Sequence, residues 1–167
     1  MLKTTKFLTR TGAIAGLYAV LSLLTLPISS GVIQCRVSEG LSLLPLLFPE
    51  SAWGLFIGCL LSNILTGCAV WDVFLGSLVT LICAIFTALV GKYIKNSALK
   101  IILGGLPPVV LNALILPLVW ILCYGALSYV YLTQCAILFL GQAVSVYGIG
   151  TPLYLALKTL STKNLLK

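Results

Sequence analysis

Residues 101–157 decide the fold class, because no charged side chain interrupts them. They read IILGGLPPVVLNALILPLVWILCYGALSYVYLTQCAILFLGQAVSVYGIGTPLYLAL. A helix needs about 20 apolar residues to cross the hydrocarbon core of a bilayer, so this stretch is long enough for two crossings. The sequence therefore predicts an integral membrane protein.

The composition of the whole chain supports the same class. Its 167 residues are 60% hydrophobic and 8% charged, with a mean hydropathy of +1.18, whereas soluble domains carry roughly 25% charged residues. The net charge of +7 would suggest nucleic acid in a soluble protein, but the basic residues lie at the ends of apolar segments and form no contiguous patch. We therefore expect one domain, residues 1–167, that contacts lipid and binds no nucleic acid.

Five apolar segments are long enough to be membrane helices: residues 11–28, 52–67, 72–91, 101–124 and 130–157. The first follows three basic residues and could be mistaken for a signal peptide. The apolar region of a signal peptide is about 7–15 residues long, which is shorter than this segment. We interpret it as the first span.

A short sixth segment, residues 38–49 (SEGLSLLPLLFP), decides the topology. If it does not cross the membrane, the lysine-rich loop at 92–100 falls on the outside, against the positive-inside rule. If it does cross, every basic residue except Arg36 is cytoplasmic. The sequence thus predicts an all-α bundle of six transmembrane helices with both termini in the cytoplasm.

The chain has 3 acidic residues, and two of them point to a candidate site. A charge at bilayer depth costs at least about 2.5 kcal/mol, so such residues are usually functional. The six-helix topology gathers Arg36, Glu39 and Asp72 at the outer end, beside Trp71. Taken singly, Arg36 and Glu39 could be an ion pair that closes a loop, and Asp72 a helix start. Together they favour a ligand pocket, in which the indole stacks and the carboxylates accept N–H groups.

Several uncharged polar residues lie within the spans, namely Asn63, Asn112, Gln142 and Tyr147. A side-chain amide in a membrane helix usually bonds to a neighbouring helix. The alternative is that these residues line the pocket.

Small residues mark faces on which helices can pack closely. Ala15 and Ala19 form an A-x-x-x-A stripe in the first span. Such a stripe packs either within the protein or against another protein.

Some kinds of chemistry have no support in the sequence. There is no histidine, and the 6 cysteines show no C-x-x-C spacing, so we expect no metal site, no cofactor and no catalytic residue. No G-x-x-x-x-G-K-[ST] motif is present for ATP, and no inverted repeat of a self-contained transporter is evident. A binding subunit is favoured; an enzyme with Glu39 or Asp72 as base, and a structural subunit without ligand, are the alternatives.

Three stretches resemble one known family: IQCRVSEGLSLLPLLFPE at 33–50, GLFIGCLLSN at 54–63 and WDVFLGSLVTL at 71–81. They are similar to QueT proteins, the queuosine-precursor transporters, which are substrate-binding (S) components of energy-coupling factor (ECF) transporters. The resemblance implies a six-helix S-component bundle in a bacterial plasma membrane. It also implies a coupling (T) subunit and two ATPase subunits as partners, and a deazaguanine base as ligand.

The resemblance also assigns roles to residues. It implies that Ala15 and Ala19 dock on the T subunit, and that the pocket includes Arg36, Glu39, Asn63, Trp71, Asp72 and Asn112; Gln142 and Tyr147 are further candidates from the sixth helix. Relatives often have Gly-Glu where this chain has Gly141-Gln142. The preferred ligand is then a neutral precursor, queuine itself or another small heterocycle, and an S component for a different vitamin is the alternative.

Overall fold

The computed structural model describes residues 2–26, 36–125 and 130–162, and these ranges are helical and contain no strand. Six helical elements follow one another along the chain, and we number them in order. They are α1 (Leu2–Leu24), α2 (Val37–Leu46), α3 (Ser51–Leu65), α4 (Asp72–Gly76 continued by Ser77–Tyr93), α5 (Ser97–Tyr124) and α6 (Tyr131–Ala143, Val144–Ile149 and Gly150–Thr162). The predicted all-helical architecture is confirmed for these ranges. Residues 27 and 28 of the predicted first span lie outside them.

Four of the six elements are long and apolar enough to cross a membrane by length and composition, namely α1, α4, α5 and α6. The other two, α2 and α3, are shorter apolar helices. The chain is therefore a multi-pass helical membrane protein. The six crossings and the cytoplasmic location of both termini remain predictions.

The short α2 is a 3-10 helix, and all residues from Ser38 to Leu46 are buried. A 3-10 helix rises about 2.0 Å per residue, against about 1.5 Å for an α-helix, so ten residues reach roughly 20 Å. Leu41 and Leu44 pack with Tyr18 and Leu55 in one core cluster. Residues Leu43 and Leu46 of the same helix belong to a second cluster with Val109 and Val146. Both halves of the core are thus built around α2.

Glycines on α4 and α6 allow both helices to approach α2 closely. A Cβ atom added at Gly91 would lie 2.8 Å from the Cα atom of Leu46. One added at Gly150 would lie 2.7 Å from the carbonyl oxygen of Gly40. Side chains at these two positions would collide with the α2 backbone, and such overpacking is destabilising.

The bundle has two chemically different ends. At one of them, which we call the basic end, Nη1 of Arg10 lies 2.8 Å from Oε1 of Glu50, and Nζ of Lys158 donates to Oγ of Ser97 at 2.9 Å. Glu50 precedes α3 without capping it through its side chain, which pairs with Arg10 instead. The opposite end, which we call the site end, contains the beginnings of α2 and α4 and the ends of α3 and α5.

The α1 stripe of small residues faces the inside of the bundle. Ala15 is 5% exposed and Ala19 is 8% exposed. A Cβ atom at Gly58 of α3 would lie 2.7 Å from Cβ of Tyr18 and 2.9 Å from the carbonyl oxygen of Ala15. Helix α3 therefore packs closely on α1 at Ala15, and docking of the stripe on a partner subunit remains a prediction. Of the two alternatives for this stripe, packing within the chain is the arrangement that the structure adopts.

Candidate functional site

A cavity of about 220 Å³ opens at the site end of the bundle. Ligand pockets for drug-sized molecules are typically about 300–1,000 Å³, so this cavity suits a smaller molecule. Helices α2 to α6 and the turn between α3 and α4 contribute its lining: Arg36, Glu39, Cys59, Asn63, Cys68, Asp72, Gly76, Thr80, Asn112, Leu116, Trp120, Leu138 and Gln142.

Glu39 provides a buried carboxylate to this cavity from the first turn of α2. Its side chain is 2% exposed. The Tyr18 hydroxyl donates to Oε1 at 2.5 Å, and the Ser42 hydroxyl donates to Oε2 at 3.0 Å. These two bonds offset part of the desolvation cost of the carboxylate and fix its orientation. A carboxylate has about four acceptor positions, so it can still accept N–H groups from a ligand.

Arg36 precedes α2 and binds an amide, not a carboxylate. Its Nη1 donates to Oδ1 of Asn63 at 3.3 Å. Within the described residues, an oppositely charged pair closer than 4.0 Å is found between Arg10 and Glu50, and Arg36 and Glu39 form no such pair. The interpretation of Arg36 and Glu39 as a simple ion pair is therefore wrong for this structure.

Asn63 connects the elements that meet at the site end. Besides accepting from Arg36, it donates from Nδ2 to the backbone carbonyl of Asp72 at 3.2 Å. Between these two residues the chain reverses at Gly67, whose φ of 69° is the left-handed conformation that glycine adopts without steric cost. The turn and the amide together place the start of α4 beside the end of α3.

Asp72 opens α4, and its carboxylate is held by an indole from a distant part of the chain. Nε1 of Trp120 donates to Oδ1 of Asp72 at 2.9 Å. A carboxylate at a helix N-terminus also interacts favourably with the helix dipole. The site end thus presents two carboxylates, Glu39 and Asp72, from two different helices.

Trp71 lies outside the cavity lining, with 51% of its surface exposed. Successive residues on a helix are about 100° apart, so a helix that turns Asp72 inward directs its neighbour away. The aromatic residue that lines the cavity is Trp120.

Tyr147 is also outside the lining. Its hydroxyl donates to the backbone carbonyl of Ile102 at 2.8 Å, and a Cβ atom at Gly105 would lie 2.5 Å from its ring. Tyr147 therefore packs α6 against α5.

Asn112 of α5 and Gln142 of α6 also line the cavity. They are 3% and 5% exposed. Oε1 of Gln142 has no hydrogen-bond partner. Together these residues add neutral donors and acceptors to the lining.

The structure brings six of the eight predicted ligand-binding residues into one cavity: Arg36, Glu39, Asn63, Asp72, Asn112 and Gln142. Their role in ligand binding remains a prediction. Sequence reasoning did not identify Trp120, or Tyr18 as the partner of Glu39. The available signal for Tyr18 was its position between Ala15 and Ala19 on the face of α1 that packs inward.

Comparison with known proteins identifies the family of this chain. A family model described as QueT transporter matches residues 8–159, which is nearly the whole chain. No curated protein and no solved structure matches the chain significantly. The resemblance of the three sequence stretches to this family is confirmed.

Proposed function

We propose that this chain, which belongs to the QueT transporter family, is the substrate-binding subunit of an ECF importer and binds a queuosine precursor. The family is one of transporters, which supports a transport function over an enzymatic one. The observation that carries the proposal is the cavity at the site end. There, a buried Glu39 is held by Tyr18 and Ser42 and lies with Asp72 in a space suited to a small molecule.

The chemistry of the cavity suits a deazaguanine base. Such a base is flat and offers several N–H donors along its edges. Glu39 and Asp72 provide the matching acceptors, and the Trp120 ring lines the same space. In the proposed complex a carboxylate accepts two adjacent ligand N–H groups, and the indole packs against the flat face of the base.

The charge distribution supports an outward-facing cavity. Arg10, Lys92 and Lys158 lie at the basic end, where α1 begins and where α4 and α6 end. Basic residues of short loops are concentrated on the cytoplasmic side of a membrane. The site end, opposite to them, then faces the exterior, from which the substrate is taken.

Uptake against a gradient requires an energy source, which the sequence does not supply. We propose that a T subunit and two ATPase subunits drive transport in a bacterial plasma membrane. Ala15 and Ala19 of α1, which are buried in the isolated chain, remain the proposed docking stripe for the T subunit.

The test is ligand binding by the purified chain in detergent, measured by titration calorimetry. The ligands are queuine, its aminomethyl and cyano precursors, guanine, and a panel of unrelated vitamins. We expect a deazaguanine to bind, and Glu39→Gln to weaken that binding about tenfold or more, since a charged acceptor is lost. Glu50→Gln is the matched control, because Glu50 lies at the basic end.

Two outcomes would overturn the proposal. Binding of another vitamin without any deazaguanine would make the chain an S component of different specificity. If wild type and a correctly folded Glu39→Gln variant bound the ligand with equal affinity, the ligand would not bind through Glu39 in this cavity.

A further inference from the structure

Two buried side-chain amides in the cavity lack the partners that its charged residues have. Glu39 accepts from Tyr18 and Ser42, and Asp72 accepts from Trp120. Oε1 of Gln142, by contrast, is buried without a partner. Buried polar groups are hydrogen-bonded in the great majority of cases, so each exception requires an explanation.

Asn112 on the neighbouring helix α5 is a second amide of the cavity lining. It is 3% exposed and lines the cavity, and its side chain makes no hydrogen bond with the part of the chain that the structure describes. The other cavity amide, Asn63, bonds to Arg36 and to the Asp72 backbone. The amides without partners are thus those on α5 and α6, and we call Asn112 and Gln142 the amide pair.

We propose that the amide pair is reserved for the ligand and makes the site selective for a ligand whose edge against α5 and α6 is uncharged. This inference deepens the proposed function and rests on it for the identity of the ligand. A side-chain amide presents a carbonyl acceptor beside an N–H donor. That pattern complements a ring amide, in which an N–H lies beside a carbonyl. The carboxylates and Arg36 then bind the other edge.

The neutrality of position 142 has a direct consequence for ligand charge. A carboxylate there would retain the acceptor but add a negative charge in a poorly solvated cavity, where Coulomb interactions are strong. It would therefore attract a cationic ligand. The neutral glutamine can accept a hydrogen bond from an N–H group, but it adds no Coulomb attraction for a cationic ligand.

The experiment compares two ligands that share one ring system, the cationic aminomethyl and the neutral cyano deazaguanine. Their affinities are measured for wild type, Gln142→Met and Gln142→Glu. We expect Gln142→Met to weaken binding of the cyano compound about tenfold, because the acceptor is lost. We expect Gln142→Glu to shift the ratio of affinities toward the aminomethyl compound by about tenfold or more. Gln134→Glu, the same substitution on the same helix outside the cavity lining, should leave the ratio unchanged.

A second measurement needs no ligand. If Oε1 of Gln142 is unpaired, Gln142→Met removes an unsatisfied polar group, so the ligand-free variant should unfold at a higher temperature than wild type. A lower unfolding temperature would mean that the amide has a structural partner, and would overturn the proposal. So would an unshifted affinity ratio in folded Gln142→Glu. Absence of deazaguanine binding to wild type would instead count against the proposed function, and the unfolding temperature would still decide the state of the amide.

Discussion

Trp120 and Asp72 are 48 residues apart in the chain and are joined by a 2.9 Å hydrogen bond from the indole N–H to the carboxylate. The bond ties the end of α5 to the first turn of α4, at the mouth of the cavity. It also holds the indole in a fixed orientation beside one of the two carboxylates. Trp120 thus has a double role in the proposed complex, as a positioning group for Asp72 and as an aromatic surface.

The two tryptophans at the site end should differ in their importance. Trp120→Phe keeps an aromatic ring but removes the N–H donor, so we expect ligand affinity to fall about tenfold. Trp71→Phe changes a half-exposed residue outside the lining, so we expect a change of less than about twofold. Titration calorimetry on both variants measures this difference. A larger loss in Trp71→Phe would restore the sequence-based assignment of that residue as the stacking ring.

The hydroxyl of Tyr18 should contribute to stability as well as to binding. In Tyr18→Phe the buried Glu39 carboxylate keeps Ser42 as donor but loses its other hydroxyl, so we expect destabilisation by about 1–3 kcal/mol. Thermal unfolding of ligand-free protein in detergent measures it. Tyr131→Phe is the control, since its hydroxyl bonds to the Leu114 carbonyl at an exposed position and should cost less. Equal losses of stability in Tyr18→Phe and Tyr131→Phe would contradict a buried hydrogen bond between Tyr18 and Glu39.

Close packing against α2 makes Gly91 and Gly150 sensitive to small changes. Gly91→Ala and Gly150→Ala insert a methyl group against the α2 backbone, so we expect each to destabilise the fold by about 1–3 kcal/mol. Gly16→Ala serves as control, because no atom lies within 4 Å of the added methyl group. Alanine is the better helix former, so the control should match or exceed the stability of wild type. Unfolding temperatures that do not separate Gly91→Ala from Gly16→Ala would argue against this packing.

The two ends of the bundle should be accessible from opposite sides of the membrane. Cys68 lines the cavity at the site end, so a membrane-impermeant maleimide should label it from outside, and ligand should protect it. A cysteine at Asn96, an exposed residue of the α4–α5 connection, should be labelled from the cytoplasmic side. Both variants are made in a background that lacks the other cysteines. Labelling of both positions from one side would refute the six-crossing topology.

Periodicity and charge were sufficient to predict most of the fold. For the lysine-rich loop at 92–100 to be cytoplasmic, an even number of membrane crossings must precede it. The short segment at 38–49 therefore had to be a separate helix, and the structure contains it as α2. Its 3-10 geometry was not predicted. The local sequence also predicts Ser38 as the N-cap of α2, which is wrong: the N-cap is Arg36, and the Ser38 hydroxyl accepts a hydrogen bond from Ser22 of α1.

The residues that sequence reasoning missed are those defined by contacts between distant segments. Glu39 and Asp72 were identified because charges are rare in this chain, whereas Trp120 is one of several apolar-looking residues in a long uncharged run. Its bond to Asp72 depends on how α5 is rotated about its axis, which local pattern does not determine. The same holds for α1, where the rotation that buries Ala15 also brings Tyr18 to Glu39.

The two ends of α2 are in very different surroundings, and this has a consequence for how a displacement at one end affects the other. Glu39 lies at one tip, in the cavity, and Leu46 lies at the other, against Gly91 and Gly104. About 14 Å of continuous 3-10 helix separates them. Because all residues from Ser38 to Leu46 are buried, this helix cannot move without displacing its closely packed neighbours. A ligand that displaced Glu39 would therefore also be expected to disturb the contacts of Leu46 with Gly91 and Gly104.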